Sequence, residues 1–192
     1  MRPIPHPDFE KITRGVRRAL PLVSFWSGTI YRSTTERYAN SQDLVSGEGA
    51  KITGARWNPP GQFPAIYGSL TPEIAMAETL EHARYYGVRP WTLMRRVFCA
   101  VEVELSRVLD LTSGEVRRRL LVSQSRMVAE DWRRQTDAGK EALTQAIGRA
   151  AFSAGIEGLL VPSAALRGGT NMVVFPPNLE PQSRVREVKA TS

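Results

Sequence analysis

Gly54-Ala55-Arg56-Trp57-Asn58-Pro59-Pro60-Gly61 runs on into Ala65-Ile66-Tyr67-Gly68-Ser69 and then Thr71-Pro72-Glu73-Ile74-Ala75-Met76-Ala77-Glu78. The order is loop, strand, helix. The loop joins a guanidinium, a large aromatic ring and an amide, and its prolines stiffen it. These are recognition groups, because arginine grips a phosphate or carboxylate with two parallel hydrogen bonds and a stiff loop loses little entropy when it closes on a ligand. A structural reading of the same residues packs Trp57 in the core and leaves Arg56 in solvent. The apolar and aromatic content of 65–69 predicts a short strand. Thr71 is placed to cap the next helix, Pro72 suits its first turn and Glu73 complements its dipole. That helix is expected to reach about Tyr86 and to stop at Gly87.

Upstream, Phe9, Ile12, Val16 and Leu20 recur at helical spacing, which predicts a helix from about Asp8 to just before Pro21. Residues 27–33 read as a strand with Tyr31 and Arg32 at its end. A glycine-bearing loop is expected from about 41 to 62, long enough to suggest function. Downstream, strands are expected at 93–105, 107–111, 158–161, 172–175 and 184–189, with a helix over roughly 140–154 that closes at Gly155. Helices fall among the strands without regular alternation. The class is therefore α+β, a mixed β-sheet core with flanking helices, in one compact domain over residues 1–192.

Composition narrows the function. Of the 192 residues, 42% are hydrophobic and 23% charged, which argues for a folded globule over a disordered or fibrous chain. No apolar run suffices to cross a bilayer, and Met1-Arg2-Pro3-Ile4-Pro5-His6-Pro7 lacks a signal-peptide core, so a cytoplasmic protein that avoids membranes is expected. Cys99, the only cysteine, sits in Val97-Phe98-Cys99-Ala100-Val101 and is expected to be a buried small hydrophobe. His6 and His82 are far apart with no zinc-ligand spacing around them, so no metal is expected. The net charge of +7 fits nucleic acid, an acidic protein or a phosphate-bearing small molecule. Its arginine clusters, Arg14-Gly15-Val16-Arg17-Arg18 and Arg117-Arg118-Arg119, lie on predicted helices and read as solvated faces, not as a direct nucleic-acid site.

Three further residues could carry chemistry. Arg32 stands at a strand end, where side chains often face a cleft. Glu78 lies two turns into its helix on a face shared with Ile74, Ala75, Glu81 and His82, at the edge of the apolar stripe. Ser163 follows a predicted strand and a proline, the usual place of a turn serine. Alone, each has an ordinary structural explanation.

Together they resemble the RES-domain family, toxins of two-gene toxin and antitoxin operons named for an arginine, a glutamate and a serine. The matching stretches are Ile30-Tyr31-Arg32, Ser46-Gly47-Glu48-Gly49-Ala50, the octet 54–61, the strand 65–69, Pro72 to Glu78, Gly158-Leu159-Leu160-Val161-Pro162-Ser163-Ala164 and Asn171-Met172-Val173-Val174-Phe175. They span about 28–176 in the family's order, and the Arg-Trp-Asn-Pro-Pro signature is the specific one. The resemblance implies a fold like that of the ADP-ribosyltransferase toxins, with NAD+ as substrate and no metal. It implies that Arg32 and Arg56 contact NAD+, that Tyr67 is the family aromatic, that Glu78 and Ser163 are the glutamate and serine, and that Tyr31 and Asn58 join the NAD+-binding set. An antitoxin with a helix-turn-helix domain is the implied partner.

The bond to be broken sets the mechanism expected. Nicotinamide leaves NAD+ as a neutral base, so positive charge gathers on the ribose as in glycoside hydrolysis. Glu78 would place an anion there, Arg32 and Arg56 would hold the diphosphate, and Tyr67 would stack near nicotinamide. The leading expectation is a toxin that consumes NAD+ by hydrolysis or phosphorolysis and arrests growth. The alternatives are a toxin that transfers ADP-ribose to a cellular protein, and a non-catalytic binding module. A glycine-rich dinucleotide fingerprint is missing, which argues against a hydride-transfer enzyme.

Overall fold

In the computed structural model, which describes residues 3–89 and 96–188, six strands make one mixed sheet. They are β1 (Ser24–Thr35), β2 (Ile66–Ser69), β3 (Arg96–Asp110), β4 (Gly158–Pro162), β5 (Thr170–Val174) and β6 (Arg184–Glu187), in the order β1-β2-β5-β4-β3-β6. The helices are α1 (Phe9–Ala19), α2 (Ser41–Ser46), α3 (Glu48–Thr53), α4 (Pro72–Tyr85), α5 (Gly114–Leu120), α6 (Gln124–Ala129), α7 (Trp132–Asp137) and α8 (Leu143–Ser153). The α+β class expected from the sequence is the class observed.

β1 pairs antiparallel with β3 along nearly its whole length, from Ser24 opposite Val108 to Thr35 opposite Arg96, and touches β2 only where Tyr31 meets Ser69. Since β2 pairs with β5, β5 with β4, and β4 in parallel with β3, five strands form a closed circuit with β6 laid on β3. Side chains alternate across these strands. Met172 and Val174 therefore join Ile30, Ile66, Val101, Val103 and Leu105 in one core. Val173 and Phe175 join Leu109, Leu159 and Val161 in the other, where α1, α5 and α8 pack.

Several elements depart from expectation. The stretch 41–62 contains α2 and α3 rather than one long structureless loop, and Asn40 caps α2 by accepting from Asp43 N–H at 3.0 Å. The two strands expected at 93–105 and 107–111 are a single strand over their described part; 93–95 lie outside the described residues, as does 189 of the last expected strand. Arg117-Arg118-Arg119 lie on a helix as expected, α5, but the six-residue helices α6 and α7 were not expected, since such short pieces carry no readable period. Cys99 is half-buried rather than buried, because its place opposite Arg32 near the ends of two paired strands puts it beside polar neighbours. No helix among the described residues is long and apolar enough to cross a membrane.

Candidate active site

A cavity of about 460 Å³ opens where β1 leaves β2, roofed by α4 and closed at one side by α7. Its size suits a cofactor-sized ligand. Tyr31, Arg32, Arg56, Tyr67 and Glu78 all line it, together with residues that the sequence did not single out as site residues: Ser69, His82, Arg96, Trp132, Arg133 and Asn171.

Glu78 is the best-defined group. Thr71 caps α4 as expected, accepting from Ile74 N–H at 3.4 Å, and sets the helix that presents the carboxylate. Oε1 of Glu78 accepts from Ser163 Oγ–H and from the Asn171 amide, both at 2.7 Å. Each donor is itself locked. Ser163 Oγ also accepts from the N–H groups of Ala165 and Leu166 at 3.1 and 3.0 Å, so its own hydrogen can serve only Glu78. Asn171 Oδ1 accepts from Ser69 Oγ at 2.7 Å, which fixes the amide's direction. Oε2 has no protein partner among the described residues. The carboxylate is thus held by one oxygen and presented by the other. Ser163 is a turn residue, as its position after a strand and a proline suggests, that also donates to Glu78, and it does not itself line the cavity.

The arginines are held from behind. Arg32 Nη1 donates to the Leu44 carbonyl of α2, and burial pushes its guanidinium down to about 10. Arg56 Nη1 donates to the carbonyls of Met127, Val128 and Glu130 at 2.9, 3.5 and 3.3 Å. Burial lowers the pKa of Arg56 as well, opposed by the nearby Glu78 carboxylate. Both remain charged at neutral pH. Nε and Nη2 of Arg56 carry no protein hydrogen bond among the described residues, which leaves unspent the two-donor edge that the sequence reading calls for.

Tyr67 lines the cavity with its ring while its hydroxyl faces the loop. It accepts from Trp57 N–H at 3.0 Å and donates to Asn58 Oδ1 at 2.7 Å, and burial raises its pKa far above the usual phenol value. Asn58, expected among the NAD+-binding residues, must be reassigned. It is fully buried, does not line the cavity, and donates from Nδ2 to the carbonyls of Ala50 and Phe63 at 2.7 and 3.4 Å. A polar group inside the fold needs its hydrogen bonds there, and the amide uses both its oxygen and its nitrogen to lock the 54–63 turn. Trp57 is also core, 2% exposed, so the structural reading of the octet holds for Trp57 and Asn58, while Arg56 lines the cavity instead of standing in solvent.

Helix α8 props up this loop. Gln145 donates to the Ala55 carbonyl at 3.0 Å, and Gly148 lies so close to Trp57 that an added Cβ would sit 1.8 Å from its carbonyl oxygen. Glu130 accepts from the N–H groups of Leu143 and Thr144 at 2.9 and 3.2 Å, an anion on the helix N-terminus. The segment 107–157, which matched no motif, is therefore the scaffold of the signature loop. Asn171 could have been suspected from its place after Gly168-Gly169-Thr170; His82 and Arg133, 51 residues apart, carried no sequence signal. No group of three metal-binding side chains occurs among the described residues.

The RES domain family matches residues 29–191 of the chain. Curated relatives called NAD(+) phosphorylase MbcT, from Mycobacterium bovis and Mycobacterium tuberculosis, are 32% identical over 151 residues, covering 78% of this chain and 73% of theirs. A solved structure of the M. tuberculosis MbcT–MbcA toxin–antitoxin complex matches with a TM-score of 0.72 at 27% identity, covering 94% of this chain and 90% of that one.

Proposed function

The chain belongs to the RES domain family, and on that premise we propose that it is the toxin of a toxin–antitoxin pair, cleaving NAD+ between nicotinamide and ribose. The observation that carries the proposal is the Glu78 carboxylate, held through Oε1 by Ser163 and Asn171 inside a cavity that also holds Arg32 and Arg56. In this reading the C–N bond breaks and its electron pair leaves on nicotinamide, which departs neutral. Glu78 Oε2 faces the cationic sugar, where an oriented charge in a desolvated site is most effective. An oxygen of phosphate or water then forms the new C–O bond; phosphate keeps its proton, whereas water gives one up to solvent.

Phosphate is the favoured acceptor, since the curated relatives are named NAD(+) phosphorylases. The 192 residues act as one domain whose site-bearing core is 28–176, and they work in the cytoplasm. A cognate antitoxin with a helix-turn-helix domain is the partner, in line with the complex in which the structural relative was solved. Expression without that partner arrests growth as cellular NAD+ falls.

The test is to incubate the purified chain with adenylate-labelled NAD+, with and without phosphate and cell extract, and to identify every labelled product. Free nicotinamide with phosphorylated ADP-ribose is expected. Label recovered on a protein would favour transfer to a macromolecule, and intact NAD+ under all conditions would remove the enzyme reading.

A further inference from the structure

Arg133 sits on the six-residue α7 and lines the cavity. Its guanidinium carbon lies 4.6 Å from the ring centre of Tyr85, 4.7 Å from that of Trp132 and 5.6 Å from that of Tyr86, so three rings confine it. Nη2 approaches His82 Nδ1 at 3.4 Å. Arginine only donates, so Nδ1 accepts and the imidazole hydrogen is on Nε2. Partial burial, then the charges of Arg133 and Arg96, lower the His82 pKa and keep the ring neutral.

Nε of Arg133 is shut from solvent and has no hydrogen-bond partner. Such a group costs on the order of 1–3 kcal/mol, more when charged, and an anion against the Nη edge that lines the cavity would offset the charge left uncompensated there. Arg107 Nε is also unpaired, but Arg107 does not line the cavity. Arg133 is set apart further by its neighbours. The lining holds four arginines against two glutamates. Arg32 and Arg56 bond to protein carbonyls, Arg96 to Ser33 at 2.6 and 3.1 Å, and Glu81 is paired with Arg84 at 2.7 Å. Arg133 has no protein oxygen within hydrogen-bond distance among the described residues, and its charge depresses the pKa of Arg56.

We infer that Arg133 and His82 form a phosphate-binding subsite of this cavity, Arg133 offering the Nη hydrogens that it does not direct at His82 and His82 offering Nε2–H. The geometry calls for a tetrahedral oxyanion, which a planar fork with one neighbouring donor grips at three oxygens. This inference rests on the proposed NAD+ cleavage only for the source of the phosphate, which is either the free acceptor or the diphosphate of NAD+.

The experiment titrates inorganic phosphate alone, and NAD+ alone, into the full chain and into Arg133→Met, Arg133→Lys and His82→Phe. Calorimetry reads both affinities, and a thermal melt on each sample shows which variants are folded. Losing a charged hydrogen bond should weaken the affected ligand by about tenfold or more in Arg133→Met, with Arg133→Lys between it and the parent. A weakened phosphate titration, a raised KM for phosphate and a shift of product towards free ADP-ribose would assign the subsite to the acceptor. Weakened NAD+ alone would assign it to the diphosphate. Should Arg133→Met fail to fold, Arg133→Lys and His82→Phe decide by the same readings. Both affinities within about twofold of the parent in folded variants would overturn the subsite. Phosphate binding needs no turnover, so a chain that bound phosphate at this site yet left NAD+ intact would refute the cleavage reading alone.

Discussion

Replacing Glu78 by glutamine tests the centre of the mechanism, and the structure dictates how the new side chain must sit. Ser163 and Asn171 both point hydrogens at Oε1, and neither can turn away, because Ser163 Oγ already accepts two backbone N–H groups and Asn171 Oδ1 is taken by Ser69. The glutamine oxygen must therefore occupy that position, and its NH2 must replace Oε2 in the cavity. The fold keeps both hydrogen bonds, so the melting temperature should stay within about 2 °C of the parent. The cavity loses a unit of negative charge and gains a donor. For a cationic sugar about 5 Å away in surroundings of effective dielectric about 20, the lost attraction is about 3 kcal/mol. That corresponds to a fall of about a hundredfold or more in single-turnover cleavage. NAD+ affinity should change only severalfold, as charge moves onto the sugar chiefly when the bond breaks. Rapid-mixing single-turnover kinetics beside calorimetry and a thermal melt make the measurement. Cleavage within about threefold of the parent rate, or a loss of activity matched by a loss of fold, would refute the reasoning.

Three further variants probe the scaffold around that carboxylate. Arg56→Lys loses both the second edge of the guanidinium and its reach to three carbonyls, so NAD+ affinity should fall by about tenfold and the melting temperature should fall with it; unchanged affinity by calorimetry would show that Arg56 is structural only. Asn58→Ala strands the Ala50 carbonyl and the Tyr67 hydroxyl in the interior, at a cost of roughly 2–4 kcal/mol seen as a lower midpoint in urea unfolding, and an unshifted midpoint would contradict its assignment as the lock of the turn. Gly148→Ala gains about 1 kcal/mol of helix propensity but drives a methyl into the Trp57 carbonyl; net destabilisation by thermal melt is expected, and a stabilised protein would show that α8 and the loop can separate freely.

The parts of this architecture that were legible in the sequence are those with local physical causes. The capping of α4 by Thr71 and the strand before it follow from neighbouring residues, and so the placement of Tyr67 and Glu78 was readable. Arg32 was readable near the end of a strand of β-branched and aromatic content, although β1 extends to Thr35, because its pairing with β3 runs on to Arg96. Asn58 was misplaced for an instructive reason: an amide in a proline-rich loop serves a ligand and a turn equally well, and only the position of the Ala50 and Phe63 carbonyls decides between them. The contacts of Arg133 with His82, and of Glu78 with Asn171, join residues 51 and 93 positions apart, and no periodicity encodes such meetings.

Because Arg56 secures the 127–130 carbonyls and Arg32 secures α2, the positive charges of the cavity are also its mortar. In a genetic selection for cells that survive this protein, substitutions at either arginine would be recovered alongside ordinary misfolded variants, since both sorts remove the cavity walls. Substitutions of Glu78 would form a separate class that accumulates as intact, harmless protein. Such survivors would supply a decoy: a chain with its surface unchanged that can be prepared in quantity without an antitoxin and used to fish for whatever the living protein binds.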